Sequence, residues 1–99
     1  MANIKVYQLI NDNNNPAANQ FVIETPKATF FQSYDSVIAR YDNDTHKIEL
    51  GPDWDFSNTT RKHLYIFLRD KTRFSVHSKK DVLKLIEDGD FKEVCEIKY

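Results

Sequence analysis

The first half of the chain alternates between apolar and polar residues with the two-residue period of a β-strand. In the segment 4–10, Ile4 and Val6 fall on one face, whereas Tyr7 and Leu9 fall on the other. This alternation predicts that the chain begins with a strand.

Further extended segments follow, each rich in aromatic or β-branched residues and bounded by turn residues. They span 21–25, 28–34, 36–42 and 47–51. Pro26 cannot donate a backbone hydrogen bond, so it marks a strand end, an edge or a bulge. The polar run at 43–47 predicts a hairpin turn. The asparagine-rich segment 11–20 predicts a flexible loop, because asparagine side chains compete for backbone hydrogen bonds.

In the second half the spacing of the apolar residues changes to that of a helix. Residues 58–70 predict a helix with one side facing the core and a polar side opposite it. The core side comprises Thr60, Leu64, Phe67, Leu68 and Lys71. The polar side comprises Arg61, Lys62, Tyr65 and Arg69.

A second helix is predicted after a short extended link at 73–77. Ser78 is a good N-cap, Asp81 stands three residues later for a capping box, and Gly89 is placed to end the helix. The expected core face comprises Val82, Leu85 and Ile86. The alternation at 91–99 then predicts a final strand, with Cys95 in the core.

This order of elements predicts an α+β fold. We expect a mostly antiparallel β-sheet of about five strands, with two α-helices packed on one face. Ninety-nine residues suffice for one domain and are too few for two, so a single domain over 1–99 is expected. Met1 leads into a polar segment without a signal peptide, and no apolar stretch approaches the ~20 residues that a bilayer requires. A soluble, cytoplasmic protein is therefore predicted.

Metal and cofactor sites are not expected. The histidines His46, His63 and His77 lie in a turn, a helix and a link, without the spacing that holds zinc. The two glycines are isolated, so no phosphate-binding loop is present. A single cysteine excludes a disulfide framework within the chain.

Catalysis is not expected either. Ser57, His63 and either Asp53 or Asp55 supply the residue types of a catalytic triad. However, Ser57 and His63 are six residues apart across a helix start, which places them on different sides of the helix. Cys95 has no basic neighbour closer than Lys92 and Lys98 in sequence. We predict no catalytic residues.

The segment 53–60 has a structural interpretation and a functional one. Asp55, Ser57 and Thr59 are each candidate N-caps. If the segment is extended, Trp54 and Phe56 point to the same side, where they would seal the helix entrance against the sheet. Alternatively, the polar helix start forms a contact patch for a partner.

The formal net charge of -1 conceals an asymmetry. Residues 1–60 contain four bases and eight acids, whereas 61–99 contain ten bases and seven acids. The basic stretch 61–84 is either a solvated face or a binding surface. The partner-binding hypothesis comprises Asn58, Arg61, Lys62, Tyr65, Arg69, Arg73, Lys79 and Lys80.

Two stretches carry a family resemblance. FFQSYDSVIARYD at 30–42 and WDFSNTTRKHLYIFL at 54–68 contain the motifs F-x-S-Y-x-S-x-I-A and W-D-F-S-x-T-T-x-K-H-L. They resemble an uncharacterised family of small proteins from Firmicutes phages and mobile elements. The resemblance covers about 40% of the chain and leaves the first strand and the asparagine-rich segment outside it. It implies an origin more than an activity.

A non-enzymatic protein that binds a host protein is the resulting hypothesis. The resemblance adds that the target is a host defence complex such as a CRISPR nuclease, blocked by steric occupation in the bacterial cytoplasm (an anti-CRISPR type of inhibitor). The alternative is a nucleic-acid-binding accessory factor that uses the basic region 61–84. A small hydrolase is the third hypothesis.

Overall fold

The computed structural model describes residues 3–97, which form six strands and two helices. The strands are β1 (Lys5–Ile10), β2 (Pro16–Glu24), β3 (Ala28–Ser33), β4 (Ser36–Asp42), β5 (Ile48–Leu50) and β6 (Phe91–Glu93). The helices α1 (Asn58–Lys71) and α2 (Lys79–Asp88) lie between β5 and β6 in the chain. Neither helix of this described part is long and apolar enough to cross a membrane.

The six strands form one sheet in the order of the sequence, from β1 to β6. Each neighbouring pair is antiparallel except β5 and β6, which are parallel. Parallel neighbours require a long crossover connection, and here both helices form that crossover. The predicted α+β fold is confirmed, with six strands where about five were expected.

One row of residues crosses the whole sheet on the face that the helices cover. It comprises Tyr7, Val22, Phe31, Ala39, Leu50 and Glu93. At its centre, the ring of Phe31 stacks on Phe67 of α1 with centroids 5.6 Å apart. At its end, the carboxylate of Glu93 accepts a hydrogen bond from the indole of Trp54 at 2.9 Å.

The adjacent row lies on the opposite face of the sheet. It comprises Val6, Ile23, Phe30, Arg40, Glu49 and Lys92. The row is apolar towards β1 and charged towards β6. The guanidinium of Arg40 lies 5.8 Å from the centre of the Phe30 ring and 3.8 Å from the Glu49 carboxylate, and Phe30 is buried.

The helix ends agree with the signals in the sequence. Ser57 caps α1, and Ser78 caps α2 by accepting a hydrogen bond from the backbone of Asp81. The carboxylate of Asp81 accepts in turn from the backbone N–H of His77 at 3.0 Å. Gly89 ends α2 in the left-handed conformation. The predicted caps of α2 are confirmed because they depend on residues within one helical turn.

The loop in the asparagine-rich segment is shorter than predicted, because β2 begins at Pro16 rather than at residue 21. The prediction of a loop over 11–20 was wrong for 16–20. A turn of five residues, closed by the Asn11 side chain accepting from the backbone of Asn13 and Asn15, leaves the chain free to pair again at once. Pro16 is tolerated because it is the first residue of the strand.

The final strand is also shorter than predicted. β6 ends at Glu93 because β5, its neighbour, is only three residues long and offers no further partners. Cys95 is therefore exposed, and its predicted place in the core was wrong. The last two residues of the predicted strand lie outside the described residues. The link at 73–77 buries Phe74, whose ring meets Phe91 edge-on at 4.9 Å.

The two glycines give a test of backbone packing. A Cβ atom at Gly51 would lie 2.6 Å from the carbonyl oxygen of Val37, whereas one at Gly89 would meet nothing within 4 Å but would sit at a φ of 87°. We expect Gly51→Ala to lower the free energy of unfolding by about 2–3 kcal/mol through overpacking. Gly89→Ala should cost about 1 kcal/mol, and Gly89→Asn less, because asparagine tolerates the left-handed region.

Urea denaturation of the three variants measures these differences. A Gly51→Ala variant as stable as Gly89→Ala would contradict the close approach of Gly51 to β4.

Candidate functional site

A cleft of about 530 Å³ opens where the turn between β3 and β4 faces the start of α1. We call it the aromatic cleft. Its sheet side is lined by residues 33–36 and Ile38, and its helix side is lined by Asp53, Phe56, Ser57, Thr59 and Thr60. Except for Asp53, which immediately precedes the second stretch, these residues come from the two motif-bearing stretches, which the fold brings together.

Tyr34 occupies the first position of the two-residue turn that joins β3 and β4, with a φ of 55°. Two hydrogen bonds fix this backbone. The N–H of Tyr34 donates to the carbonyl of Asn19 at 2.7 Å, and the side-chain amide of Gln32 donates to the carbonyl of Tyr34 at 2.7 Å. The tyrosine side chain is 61% exposed at the mouth of the cleft.

Phe56 forms the other aromatic edge and is 79% exposed. The prediction that Trp54 and Phe56 both seal the helix entrance was right for Trp54, which is buried, and wrong for Phe56. The backbone here is turned rather than extended, because the N–H of Trp54 donates to Gly51 and that of Phe56 donates to Asp53. A spacing of two residues therefore does not place both rings on one side.

The hydroxyl groups at the helix start are already hydrogen-bonded within the chain. The Ser57 hydroxyl accepts from the backbone N–H of Thr60 and donates to its hydroxyl, both at 3.1 Å. The Nδ1 atom of His63 lies 2.8 Å from the carbonyl of Thr59. No hydrogen bond between residues 3–97 joins Ser57 to His63, so the geometry of the triad is not assembled.

The other two histidines also contact side chains of the same molecule. The Nδ1 atom of His46 lies 2.7 Å from the Tyr41 hydroxyl, and that of His77 lies 3.2 Å from Arg69. Within residues 3–97, no group of three potential ligand side chains could hold a metal ion.

Five of the eight residues in the partner-binding hypothesis line a second cleft, of about 380 Å³, on the polar side of α1. We call it the basic cleft. The five are Asn58, Arg61, Lys62, Tyr65 and Arg69, and Asp12 and His77 complete the lining. Arg73, Lys79 and Lys80 lie outside this cleft; the guanidinium of Arg73 is instead 5.2 Å from the centre of the Phe74 ring.

Several of these cations are paired within the molecule. The carboxylate of Asp55 lies 2.5 Å from Arg61 and 2.7 Å from Lys79, so it joins α1 to the start of α2. The carboxylate of Asp12 lies 3.2 Å from Arg69. The hydrogen bond from Lys79, followed by that from Arg61, lowers the pKa of Asp55. Each of these pairs joins an acid of the first sixty residues to a base beyond them.

Tyr65 lines the basic cleft and is half-buried. Burial raises the pKa of its hydroxyl above the usual value, against the nearby charge of Arg61. Arg61 also donates to the side-chain oxygen of Asn58. The polar side of α1 is thus ordered by its own contacts.

The ion pairs of Asp55 predict a dependence of stability on pH. Since its folded pKa is lowered, ionised Asp55 stabilises the protein at neutral pH, and this contribution is lost as the pH falls below about 4. In Asp55→Asn, stability should be lower at neutral pH and should fall less steeply on acidification. Urea unfolding at about pH 7 and about pH 3 measures both effects.

Asp53→Asn is the matched control, because Asp53 forms no ion pair with any residue of 3–97. A residual slope is expected in Asp55→Asn from Asp42, whose pKa is lowered by the backbone N–H groups of Thr45 and Asp44. Equal acid sensitivity in both variants would contradict the role assigned to Asp55.

Comparison with known proteins identifies the family of the chain. No curated protein sequence matches the chain, and no solved structure matches its fold. A family model described as a family of unknown function, DUF8033, matches residues 4–84. The match includes β1 and the asparagine-rich turn, and it contains every residue that lines either cleft. The chain belongs to the family of unknown function DUF8033.

Proposed function

We propose that the protein is a protein-binding module and that the aromatic cleft is its contact surface. The observation that carries this proposal is the pair of exposed rings, Tyr34 and Phe56, on the two sides of one cleft. Aromatic side chains, together with arginine, are enriched at the centres of protein interfaces, and tyrosine is among the residues that most often dominate their energy. The proposed site adjoins the helix start that the sequence suggested.

The exposure of Phe56 is unfavourable in the free protein. A phenylalanine side chain gains about 2–3 kcal/mol when it is moved from water into an apolar environment. Trp54, two residues earlier, achieves this burial and also hydrogen-bonds Glu93. Phe56 does not, so its ring is free to contribute apolar area to a complex.

The backbone of Tyr34 supports the same proposal. A left-handed conformation costs roughly 1–2 kcal/mol for a residue with a Cβ atom, and glycine or asparagine usually occupies such a turn position. Here the position holds a tyrosine whose side chain is mostly exposed and lines the cleft. Residues held in unfavourable conformations cluster at functional sites.

The finer hypothesis concerns the partner. The resemblance to proteins of phages and mobile elements suggests a host defence complex such as a CRISPR nuclease, inhibited by steric occupation. Only the resemblance supports this identity, whereas the exposed rings support protein binding in general. Mass spectrometry of the retained partner tests the two levels separately.

Retention of a partner from bacterial host lysate tests the proposal. We expect the wild-type protein to retain a stoichiometric partner at physiological salt, and Phe56→Ser and Tyr34→Asn each to reduce retention at least about tenfold, as for interface hot spots. The two variants should fold, because Phe56 is 79% exposed and asparagine tolerates the conformation of Tyr34. Leu83→Ser, at a 49% exposed apolar residue of α2, is the control and should retain the partner.

Circular dichroism and thermal unfolding of each variant accompany the retention measurement. Two outcomes refute the proposal: a wild-type protein that retains no stoichiometric partner, or aromatic variants that retain it as well as Leu83→Ser does.

A nucleic-acid-binding factor is the second candidate, because five of the eight predicted residues do share the basic cleft. Among the cations of the basic cleft, Arg61 pairs with Asp55 and Arg69 pairs with Asp12. Lys62 forms no ion pair with any residue of 3–97. This pairing reduces the charge available for phosphates, so the aromatic cleft is favoured.

A salt titration with a fluorescent single-stranded oligonucleotide tests this candidate. If it is right, affinity falls steeply with salt, and Lys62→Ala reduces the slope of log K against log salt by about one, as one lost phosphate contact does. Lys27→Ala, at an exposed lysine outside the basic cleft, is the control. Absence of binding even at about 50 mM salt eliminates the candidate.

A further inference from the structure

We infer that the aromatic cleft accepts a cationic side chain, a lysine or an arginine, that the partner protein presents on an exposed segment. This inference rests on the proposed function and specifies the chemistry of its partner. Two features of the cleft support the inference, namely the charges on its walls and the rings at its mouth. A third observation comes from elsewhere in the molecule, where rings and carboxylates hold its own cations.

The charges that line the cleft are both negative. Asp35 follows Tyr34 in the turn between β3 and β4, and Asp53 precedes the start of α1 on the other wall. Both residues are exposed, and the lining contains no lysine, arginine or histidine. An incoming cation therefore meets two carboxylates and no like charge among the lining residues.

The start of α1 also faces the cleft and favours an anion, but its effect is smaller. A helix N-terminus carries the equivalent of about half a positive charge, against two full negative charges here. In addition, one N–H group of the first helical turn, that of Thr60, donates to the capping hydroxyl of Ser57 and is not available to an anion. The balance favours a cation.

Elsewhere in the molecule the same combination of ring and carboxylate holds a cation. The Nζ atom of Lys71 lies 5.0 Å from the centre of the Tyr7 ring, whose hydroxyl donates to Glu24. The guanidinium of Arg40 lies 5.8 Å from the Phe30 ring and pairs with Asp42 at 3.3 Å. Such cation–ring contacts are attractive because the ring face is negative.

The aromatic cleft repeats this arrangement without a cation of its own among its lining residues. Tyr34 and Phe56 supply the rings, and Asp35 and Asp53 supply the carboxylates. A side chain on a protein segment suits the cleft better than a free amine, because the lining also contains the hydroxyls of Ser36 and Thr59, with which backbone groups of such a segment could form hydrogen bonds. The partner is thus expected to present lysine or arginine at its contact site.

Nuclear magnetic resonance of the labelled full chain tests the inference with a defined probe. The probe is a blocked pentapeptide with a central arginine between glycines, and its match has glutamine at the centre. We expect the arginine peptide to shift the amide resonances of 34–36 and 53–57, and the glutamine peptide to bind at least about tenfold more weakly, since the exchange removes the positive charge and the guanidinium donors.

The variant Asp35→Asn/Asp53→Asn is expected to lose the preference for arginine over glutamine while its thermal unfolding stays unchanged. Asp55→Asn is the matched control, because Asp55 carries the same charge but faces Arg61 and Lys79 instead. The inference is overturned if the arginine peptide shifts no resonance of the cleft, if the glutamine peptide binds equally well, or if the double variant keeps the preference.

The retention experiment separates this inference from the proposed function. If the partner is lost with Phe56→Ser but retained with Asp35→Asn/Asp53→Asn, the cleft binds a protein by its rings alone, and only the inference fails. If Phe56→Ser retains the partner, the proposed function itself is wrong. Loss of the partner with both variants, alongside the preference for the arginine peptide, supports both.

Discussion

The stacking of Phe31 on Phe67 is the contact on which the rest of the structure depends. Phe31 lies on a central strand, and Phe67 lies in the second half of α1, so their contact fixes the helix across the middle of the sheet. The chain must also return from β5 to β6 in the parallel direction, which requires a long connection on one face. The aromatic cleft follows from this placement, because the start of α1 then lies opposite the turn that holds Tyr34.

Part of the asymmetry of charge along the sequence is used in ion pairs within the fold. Acids of the first sixty residues meet bases of the remainder within the fold, as Asp12 meets Arg69 and Asp55 meets both Arg61 and Lys79. Through these pairs, Asp55 connects the start of α1 with that of α2, and Asp12 connects the first turn with α1. Asp35 and Asp53 have no such partner among residues 3–97, and it is these two acids that line the aromatic cleft.

The sequence predicted a feature correctly when residues close to it in the chain determine that feature. The caps of α2 lie where the local pattern places them, because a few neighbouring residues determine them. The pattern placed Tyr34 in the extended segment 28–34, whereas the structure places it in the two-residue turn after β3. The predictions that Phe56 points inward and that Cys95 lies in the core were wrong for a shared reason. Each depends on how the backbone is held by residues outside its own segment, and periodicity carries no information about that.

The candidate site shows the same division. The motif containing Phe56 drew attention to the start of α1, but nothing local connected it with Tyr34, twenty-two residues earlier. The residues on the sheet side of the aromatic cleft were missed as site residues for that reason. The only signal in the sequence was that Tyr34 belongs to the other stretch of the family resemblance.

The sequence by itself determined the α+β class, the extents of the helices and the absence of any local pairing of Ser57 with His63, since periodicity, capping and residue spacing are properties of neighbours in the chain. Only the tertiary structure decided which acids meet which bases, that Trp54 turns inward while Phe56 turns outward, and that two aromatic rings face one cleft. These outcomes depend on how the crossover packs α1 against the sheet, and that packing is a property of the whole chain.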